Sequence, residues 1–189
     1  MTKELINIIK AKAQEYGFDK AMLLSFVATE TGGQGFDSVT GKITIQFEPA
    51  WFKKQAPYAP SGLWSLNEVE RQAEEWKAFN DAFAKNPDAA MKSTSIGLGQ
   101  IMGFHYALLG YKTVGEMWDD AKKGLVNQVD QICKFIANTP KLKVAIVSRN
   151  FSDIASIYNG AGFRELAKKL NRVPYDITLA NNYKIYSNL

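Results

Sequence analysis

Cysteine and histidine are almost absent from this chain of 189 residues, which contains one of each, Cys133 and His105. A single cysteine cannot form an internal disulfide, and this pair cannot supply the ligands of a structural zinc site. Any Ser-His-Asp or Cys-His mechanism would depend on His105 alone. We therefore expect a protein without a metal and without another cofactor.

Long apolar runs are missing as well. No stretch approaches the roughly 20 residues that a membrane span needs. Residues 1–13 lack the apolar core and the small-residue cleavage pattern of a secretory signal. We expect a protein that is made in the cytoplasm without a signal peptide, that does not insert stably into a membrane, and that reaches any target outside by another route.

The overall composition is that of a globular protein. Hydrophobic residues make up 46% of the chain and charged residues 22%, which excludes disorder and low complexity. The length favours one domain over residues 1–189. Eight basic and three acidic side chains lie in residues 141–189, within a chain of net charge +4. This basic end is either an ordinary solvated face or a surface that favours an anionic partner.

Apolar residues recur every three or four positions along most of the chain. This spacing, with capping signals, predicts helices over residues 3–15, 20–30, 65–85, 114–136, 164–170 and 178–187, and Ser152 can cap a further helix that ends near Tyr158. In residues 42–48 apolar and polar side chains alternate instead, which predicts a short strand with Gln46 and Glu48 on its free face. The pattern indicates a mainly α protein with a small β element.

Glu30 ends the predicted helix over residues 20–30, which is apolar nearly all round and therefore belongs in a core. Burial and the negative end of the helix dipole both disfavour the charged carboxylate, so both raise its pKa. A general acid needs this property if it is to protonate a poor leaving group such as a glycosidic oxygen. The alternative is an exposed glutamate that is merely solvated just past a helix end.

Four motifs follow one another along the chain: Glu-Thr-Gly-Gly-Gln-Gly-Phe at 30–36, Ile-Gln-Phe-Glu-Pro-Ala-Trp-Phe at 45–52, Gly-Leu-Gly-Gln-Ile-Met-Gly-Phe at 97–104 and Tyr-Asn-Gly at 158–160. In this order they resemble the N-acetylmuramidase family of phage endolysins, which degrade peptidoglycan. The layout is also similar to goose-type lysozymes and lytic transglycosylases.

The resemblance implies a lysozyme-like α+β fold, mainly α, with a small β-hairpin element beside an active-site cleft. It implies that Glu30 is the catalytic acid and that substrate-binding side chains line the cleft, namely Gln46, Gln100, Tyr158, Asn159 and, as a weaker candidate, Tyr183. Trp51 and Trp64 flank loops and are candidates for stacking on sugars. The family pattern often has serine, tryptophan and Arg-His where this chain has Thr31, Ile96 and residues 49–50.

The second carboxylate of the site is open between Glu48 and Asp37. We favour Glu48, because the strand places it beside Gln46 on the free face, although it can equally serve as a structural side chain that binds loop amides. The resulting hypothesis is a monomeric glycoside hydrolase that cleaves the β-1,4 bond between N-acetylmuramic acid and N-acetylglucosamine. The alternatives are a lytic transglycosylase and a non-catalytic peptidoglycan-binding module. No motif indicates nucleic-acid binding.

Overall fold

The computed structural model describes residues 1–68 and 71–189 and is mainly helical. The helices are α1 (Lys3–Tyr16), α2 (Lys20–Thr31), α3 (Pro49–Gln55), α4 (Gln72–Lys85), α5 (Pro87–Lys92), α6 (Val114–Lys122), α7 (Leu125–Ala137), α8 (Pro140–Val147), α9 (Phe151–Tyr158), α10 (Phe163–Lys169) and α11 (Tyr175–Tyr186). Strands β1 (Ile45–Phe47), β2 (Thr94–Ile96) and β3 (Ile101–Met102) form one antiparallel sheet in that order. The expected mainly α fold with a small β element is confirmed.

The described residues divide into two compact units. The first consists of residues 1–33 and 132–189, and the second of residues 34–131. The first unit contains α1, α2 and α8–α11, and the second contains the sheet and α3–α6. Within the described part of the chain, no helix combines the length and the apolar character that crossing a membrane requires.

In the first unit, α2 lies in the core, as its sequence predicts. Every residue from Ala21 to Val27 is buried. Asp19 caps the helix by accepting a hydrogen bond from the Ala21 N–H at 2.8 Å. Gly32 ends it in the left-handed conformation, with φ at 62°, which glycine adopts without steric cost. The last turn of the helix, residues 28–31 with Glu30 among them, is only partly buried.

In the second unit, side chains of α4 complete the free edge of β1. The amide of Gln72 exchanges two hydrogen bonds with the backbone of Ile45, at 2.9 and 2.7 Å. The buried carboxylate of Glu75 accepts a hydrogen bond from the Phe47 N–H at 2.8 Å. The backbone groups of this edge are therefore satisfied without a fourth strand. Ile43, Ile45 and Phe47 are buried, which confirms the predicted alternation along the strand.

Gly35 shows why the chain after α2 needs glycine. A Cβ at this position would lie 2.2 Å from Oε1 of Gln128, too close for any side chain. The same Oε1 accepts a hydrogen bond from the Leu98 N–H at 3.0 Å, so it cannot move away freely. The backbone at Gly35 therefore approaches Gln128 more closely than any other residue type would allow.

Two capping predictions are wrong. Ser65 does not open α4, because its hydroxyl bonds the backbone of Gly62 at 3.2 and 2.8 Å in a 3-10 turn, and α4 begins only at residue 72. Residues 69 and 70 of that predicted helix lie outside the described part of the chain. Ser152 does not cap α9. Asn150 does so instead, since its side chain accepts a hydrogen bond from the Asp153 N–H at 3.2 Å.

Two predicted helices have different limits from those expected. The apolar seam over residues 114–136 is divided into α6 and α7, because Gly124 has φ at 157°, which is not helical. The helix expected from residue 178 begins about one turn earlier, at Tyr175, directly after Pro174. Asp176 in its first turn is favourable there, since the helix N-terminus carries partial positive charge. The earlier start places Tyr175 in the first turn of α11.

Candidate active site

Glu30 lies half-buried in the last turn of α2. The hydroxyl of Tyr175, from the first turn of α11, donates a hydrogen bond to Oε1 of Glu30. The ring of Tyr158 stacks against that of Tyr175 at 6.4 Å and packs on Phe26 at 4.8 Å. Aromatic side chains from α9 and α11 therefore pack around the carboxyl group that the last turn of α2 carries.

The environment of Glu30 favours its protonated form. Burial raises the pKa of Glu30 to about 7, although the hydrogen bond from Tyr175 acts in the opposite direction by stabilising the carboxylate. A carboxyl group with this pKa keeps its proton in a substantial part of the molecules near neutral pH. The alternative of a merely solvated glutamate does not fit this placement.

The two tyrosines beside Glu30 remain neutral. Burial is the largest cause that raises the pKa of Tyr158 and of Tyr175 well above 10, and the negative charge of Glu30 adds to it. Both hydroxyls thus keep their protons at any pH at which a glycosidase works. Asn159 follows Tyr158 at the C-terminus of α9 and is exposed.

Sequence reasoning missed Tyr175. Its partner Glu30 is 145 positions away in the chain, and no motif includes it. The sequence does contain a signal for the position of Tyr175. Pro174 before it and Asp176 after it are typical of the start of a helix, here α11. The Asp176 carboxylate, which is buried, forms an ion pair with Arg164 of α10, and this pair fixes the first turn of α11.

Tyr183 lies away from Glu30. Its hydroxyl donates to Oδ2 of Asp19 at 2.7 Å, at the N-terminus of α2, and Asn182 donates to Thr29 at 2.9 Å nearer the C-terminus. Tyr175 at the start of α11 bonds Glu30 at the end of α2, whereas Tyr183 near the end of α11 bonds Asp19 before the start of α2, so the two helices run antiparallel. Glu30 is eleven residues beyond Asp19, about 16 Å along the helix axis. The structure does not bring Tyr183 to Glu30, and we leave it out of the proposed site.

In the second unit, the structure brings together Gln46, Glu48 and Gln100. The amide of Gln46 donates to Oε1 of Glu48 at 3.2 Å. Ser95, which stands opposite Gln46 in the sheet register, donates to Oε1 of Gln100 at 3.0 Å. The Gln100 amide also donates to the Gly97 carbonyl at 2.9 Å. These bonds hold Gln100 in place although its φ of 45° is unusual for a residue other than glycine.

Glu48 is a perturbed carboxyl group. Burial raises the pKa of Glu48, and the negative charge of Glu75 raises it further. Its side chain does not cap α3, although it precedes that helix. Glu75, which sequence reasoning missed, is held by the Phe47 N–H at 2.8 Å and by the Asn67 amide at 3.1 Å. The sequence signal for Glu75 is its position three residues after Gln72, on a face of α4 that is otherwise apolar.

Glu75→Gln is expected to lower the pKa of Glu48, because the neutral amide removes a like charge but leaves an oxygen that can accept from the Phe47 N–H. The Glu48 carboxylate is thereby favoured, and its titration moves to lower pH. A ¹³C NMR titration of the Glu48 carboxyl group measures this shift. Glu74→Gln, a neighbouring change of the same charge, serves as the control. An unchanged Glu48 titration in Glu75→Gln would contradict the described coupling.

The other candidates have local structural roles. Asp37 accepts hydrogen bonds from the hydroxyl of Thr40 at 2.7 Å and from its N–H at 2.8 Å, and these bonds lower the pKa of Asp37. It is thus a turn residue, which leaves Glu48 as the better second carboxylate. Trp64 is buried and donates to the Pro60 carbonyl at 2.9 Å, so it belongs to the core and cannot stack on a sugar. Trp51 is 38% exposed.

Glu30, Tyr158 and Tyr175 thus belong to the first unit, and Gln46, Glu48 and Gln100 to the second. The model of the N-acetylmuramidase family matches residues 19–187, which include residues of both units. The fold is similar to the crystal structure of an endolysin from Burkholderia phage AP3, with a TM-score of 0.77 and 25% sequence identity over 97% of this chain and 70% of that one. No curated protein matches the chain.

Proposed function

The chain belongs to the N-acetylmuramidase family and is a glycoside hydrolase that acts on peptidoglycan, and on this premise we propose that Glu30 is its general acid. The bond it cleaves is the β-1,4 linkage between N-acetylmuramic acid and N-acetylglucosamine. The observation that supports this proposal is the half-buried Glu30 carboxyl, whose pKa is about 7. Such a group donates a proton near neutral pH, as departure of a sugar alcohol requires.

In the proposed reaction, Glu30 transfers its proton to the glycosidic oxygen as the bond from that oxygen to the anomeric carbon breaks. The anomeric carbon develops oxocarbenium character, and a water molecule adds to it. Glu48, in its ionised form, accepts a proton from that water. Solvent then restores the proton of Glu30 and removes that of Glu48, so one water is consumed for each bond cleaved.

The Tyr175 hydroxyl orients the acid. It donates to Oε1 of Glu30, which leaves Oε2 as the oxygen that carries the transferable proton. Because the tyrosine stays neutral, it also stabilises the carboxylate that forms when the proton leaves. Tyr175 therefore acts as a positioning residue, and the ring of Tyr158 shields the same carboxyl group from water.

The side-chain amides of Gln46, Gln100 and Asn159 are proposed to bind the substrate. An amide both donates and accepts hydrogen bonds, as the hydroxyl and acetamide groups of these sugars do. Gln100 already uses its Oε1 and one N–H within the protein, so one N–H and one lone pair are left for a sugar. A rigidly held amide binds with little loss of conformational entropy.

The fragments released from purified peptidoglycan decide between hydrolysis and its alternatives. We expect fragments that end in reducing N-acetylmuramic acid, because water completes the reaction. Mass spectrometry separates them from 1,6-anhydro fragments, which are lighter by one water. Anhydro products would identify a lytic transglycosylase, and binding without any released fragment would identify a non-catalytic module.

The place of action follows from the substrate. We propose that the protein degrades the bacterial cell wall during phage-induced lysis, which agrees with the description of the Burkholderia phage AP3 protein as an endolysin. The net charge of +4 favours association with an anionic envelope. Action as a monomer stays a prediction from the sequence.

A further inference from the structure

A concavity lies in the first unit, at the N-terminal end of α2, opposite the end that carries Glu30. A cavity of about 310 Å³ opens among the turn between α1 and α2, α7 and α8. Its walls are mainly apolar or aromatic: Tyr16 and Phe18 stack at 5.7 Å, and Ile136 and Ile146 face the same space. This size and lining are those of a pocket for a small ligand or a short chain segment.

Two exposed cations, Lys143 and Arg149, line this cavity together with one carboxylate, that of Asp19. The carboxylate is already engaged, since Oδ1 accepts from the Ala21 N–H at 2.8 Å and Oδ2 from the Tyr183 hydroxyl at 2.7 Å. The charged side chains that line the cavity therefore carry a net positive charge, and both Asp19 oxygens accept hydrogen bonds from groups of the protein. The cavity favours an anionic ligand.

Arg149 is held in an unusual conformation beside the cavity. Its φ is 53°, in the left-handed region that residues other than glycine rarely adopt, and its N–H closes the end of α8 on the Ile146 carbonyl at 3.0 Å. Its guanidinium lies over the ring of Tyr183 at 5.3 Å. A glycine would end the helix there without strain, so the arginine offers its charge at a conformational cost.

We propose that this cavity binds a short peptide with a free carboxylate, of the kind that peptidoglycan carries on its glycan strands. The carboxylate lies between Lys143 and Arg149, and small apolar side chains of the peptide pack on Phe18 and Ile146. A concave pocket whose walls carry both apolar and cationic side chains suits a peptide segment with a carboxylate and does not suit the flat surface of a membrane. The assignment of the source of the peptide rests on the proposed function.

The distance between the two sites fits this substrate. The cavity lies at the N-terminus of α2 and Glu30 in its last turn, about 16 Å apart along the helix axis. About five extended residues span that length. A peptide attached to a sugar near Glu30 therefore reaches the cavity, which would let the enzyme distinguish glycan that carries peptides from bare glycan.

Binding of D-alanyl-D-alanine, followed by ¹H–¹⁵N NMR, tests the pocket directly. We expect millimolar affinity for the free dipeptide, and binding at least tenfold weaker for its C-terminal amide and for the variant Lys143→Gln with Arg149→Gln. The control, Lys141→Gln with Lys168→Gln, removes the same charge from the same unit outside the cavity and should bind as the wild type does. Equal binding of the amide, or equal loss in the control, would overturn the proposal.

Activity on two substrates tests the peptide pocket independently of the proposed catalytic function. On intact peptidoglycan, kcat/KM of the cavity variant should fall about three- to tenfold, while on glycan strands stripped of peptide by an amidase it should not change. An equal fall on both substrates would overturn the proposal, as would cavity-dependent binding to phosphatidylglycerol vesicles with no binding of the dipeptide. If the wild type cleaves neither substrate, the proposed function fails, and the dipeptide experiment still decides whether the pocket exists.

Discussion

Glu30→Gln is expected to lower kcat/KM on peptidoglycan by about 10²- to 10⁴-fold, the range that general acid catalysis contributes. Glutamine keeps the size of the side chain and an oxygen that accepts from Tyr175, but it has no proton to transfer to a glycosidic oxygen. Release of reducing sugar from purified cell walls measures the loss. Glu165→Gln, which removes one exposed carboxylate from the same unit, is the matched control and should retain full activity.

The stability of the same variant separates loss of chemistry from loss of fold. The folded-state pKa of Glu30, about 7, lies above the ordinary value of 4.5 for an exposed glutamate, so the folded state binds the extra proton between these pH values. The stability contributed by the proton on Glu30 is therefore fully present below about pH 4.5 and is lost as the pH rises through 7. Glutamine does not ionise, so the variant does not lose this contribution as the pH rises. Above pH 7 the variant should have a free energy of unfolding about 1–3 kcal/mol higher than the wild type, and below pH 4.5 the two should be equal.

Two results would contradict the assignment of Glu30. Wild-type activity in Glu30→Gln would show that another group supplies the proton. A loss of activity together with a lower free energy of unfolding at pH 8, measured by urea denaturation, would show that the substitution damages the fold. Only an inactive variant that is at least as stable as the wild type supports the proposed role.

Activity of the wild type is expected to fall about tenfold for each pH unit above 7, because only molecules with protonated Glu30 react. At pH 9 kcat/KM should thus be about 100-fold below its maximum. On the acidic side, activity should fall as Glu48, whose pKa burial also raises, takes up a proton and can no longer accept one from water. The expected profile is a bell whose alkaline limb belongs to Glu30.

Tyr175→Phe should move the alkaline limb to higher pH. The hydroxyl stabilises the Glu30 carboxylate, so its removal raises the pKa of Glu30 further. The plateau should fall about 2- to 10-fold, since a positioning hydrogen bond worth about 0.5–1.5 kcal/mol is lost. A variant that is merely less stable would lose plateau activity without moving the limb.

Tyr183→Phe is the control on the same helix, because its hydroxyl bonds Asp19 at 2.7 Å and not Glu30. Its pH profile should match that of the wild type. A profile of Tyr175→Phe that is unmoved, or that moves to lower pH, would contradict the described hydrogen bond. Rates from pH 4 to 10, measured on the same cell-wall preparation at constant ionic strength, provide the comparison.

Secondary structure was predictable where one local signal dominates. The spacing of apolar residues and the cap at Asp19 place α2, and the alternation around Ile45 places β1, since both signals depend only on neighbouring positions. Where two signals compete, prediction failed. Ser65 has the spacing of a capping box but bonds Gly62 in a 3-10 turn, and Gly124 divides a helix whose apolar seam continues across it.

The sequence by itself determined that an apolar helix would carry Glu30 in its last turn and that Gln46, in β1, and Glu48, directly after it, would lie on the same side of the chain, because these placements follow from local spacing. Only the tertiary structure decided that Tyr175 touches Glu30 and that Glu75 adjoins Glu48. These pairs join distant segments, and their contacts arise when helices pack. The pKa of each carboxyl group depends on those neighbours and on burial, and so it is a property of the folded chain.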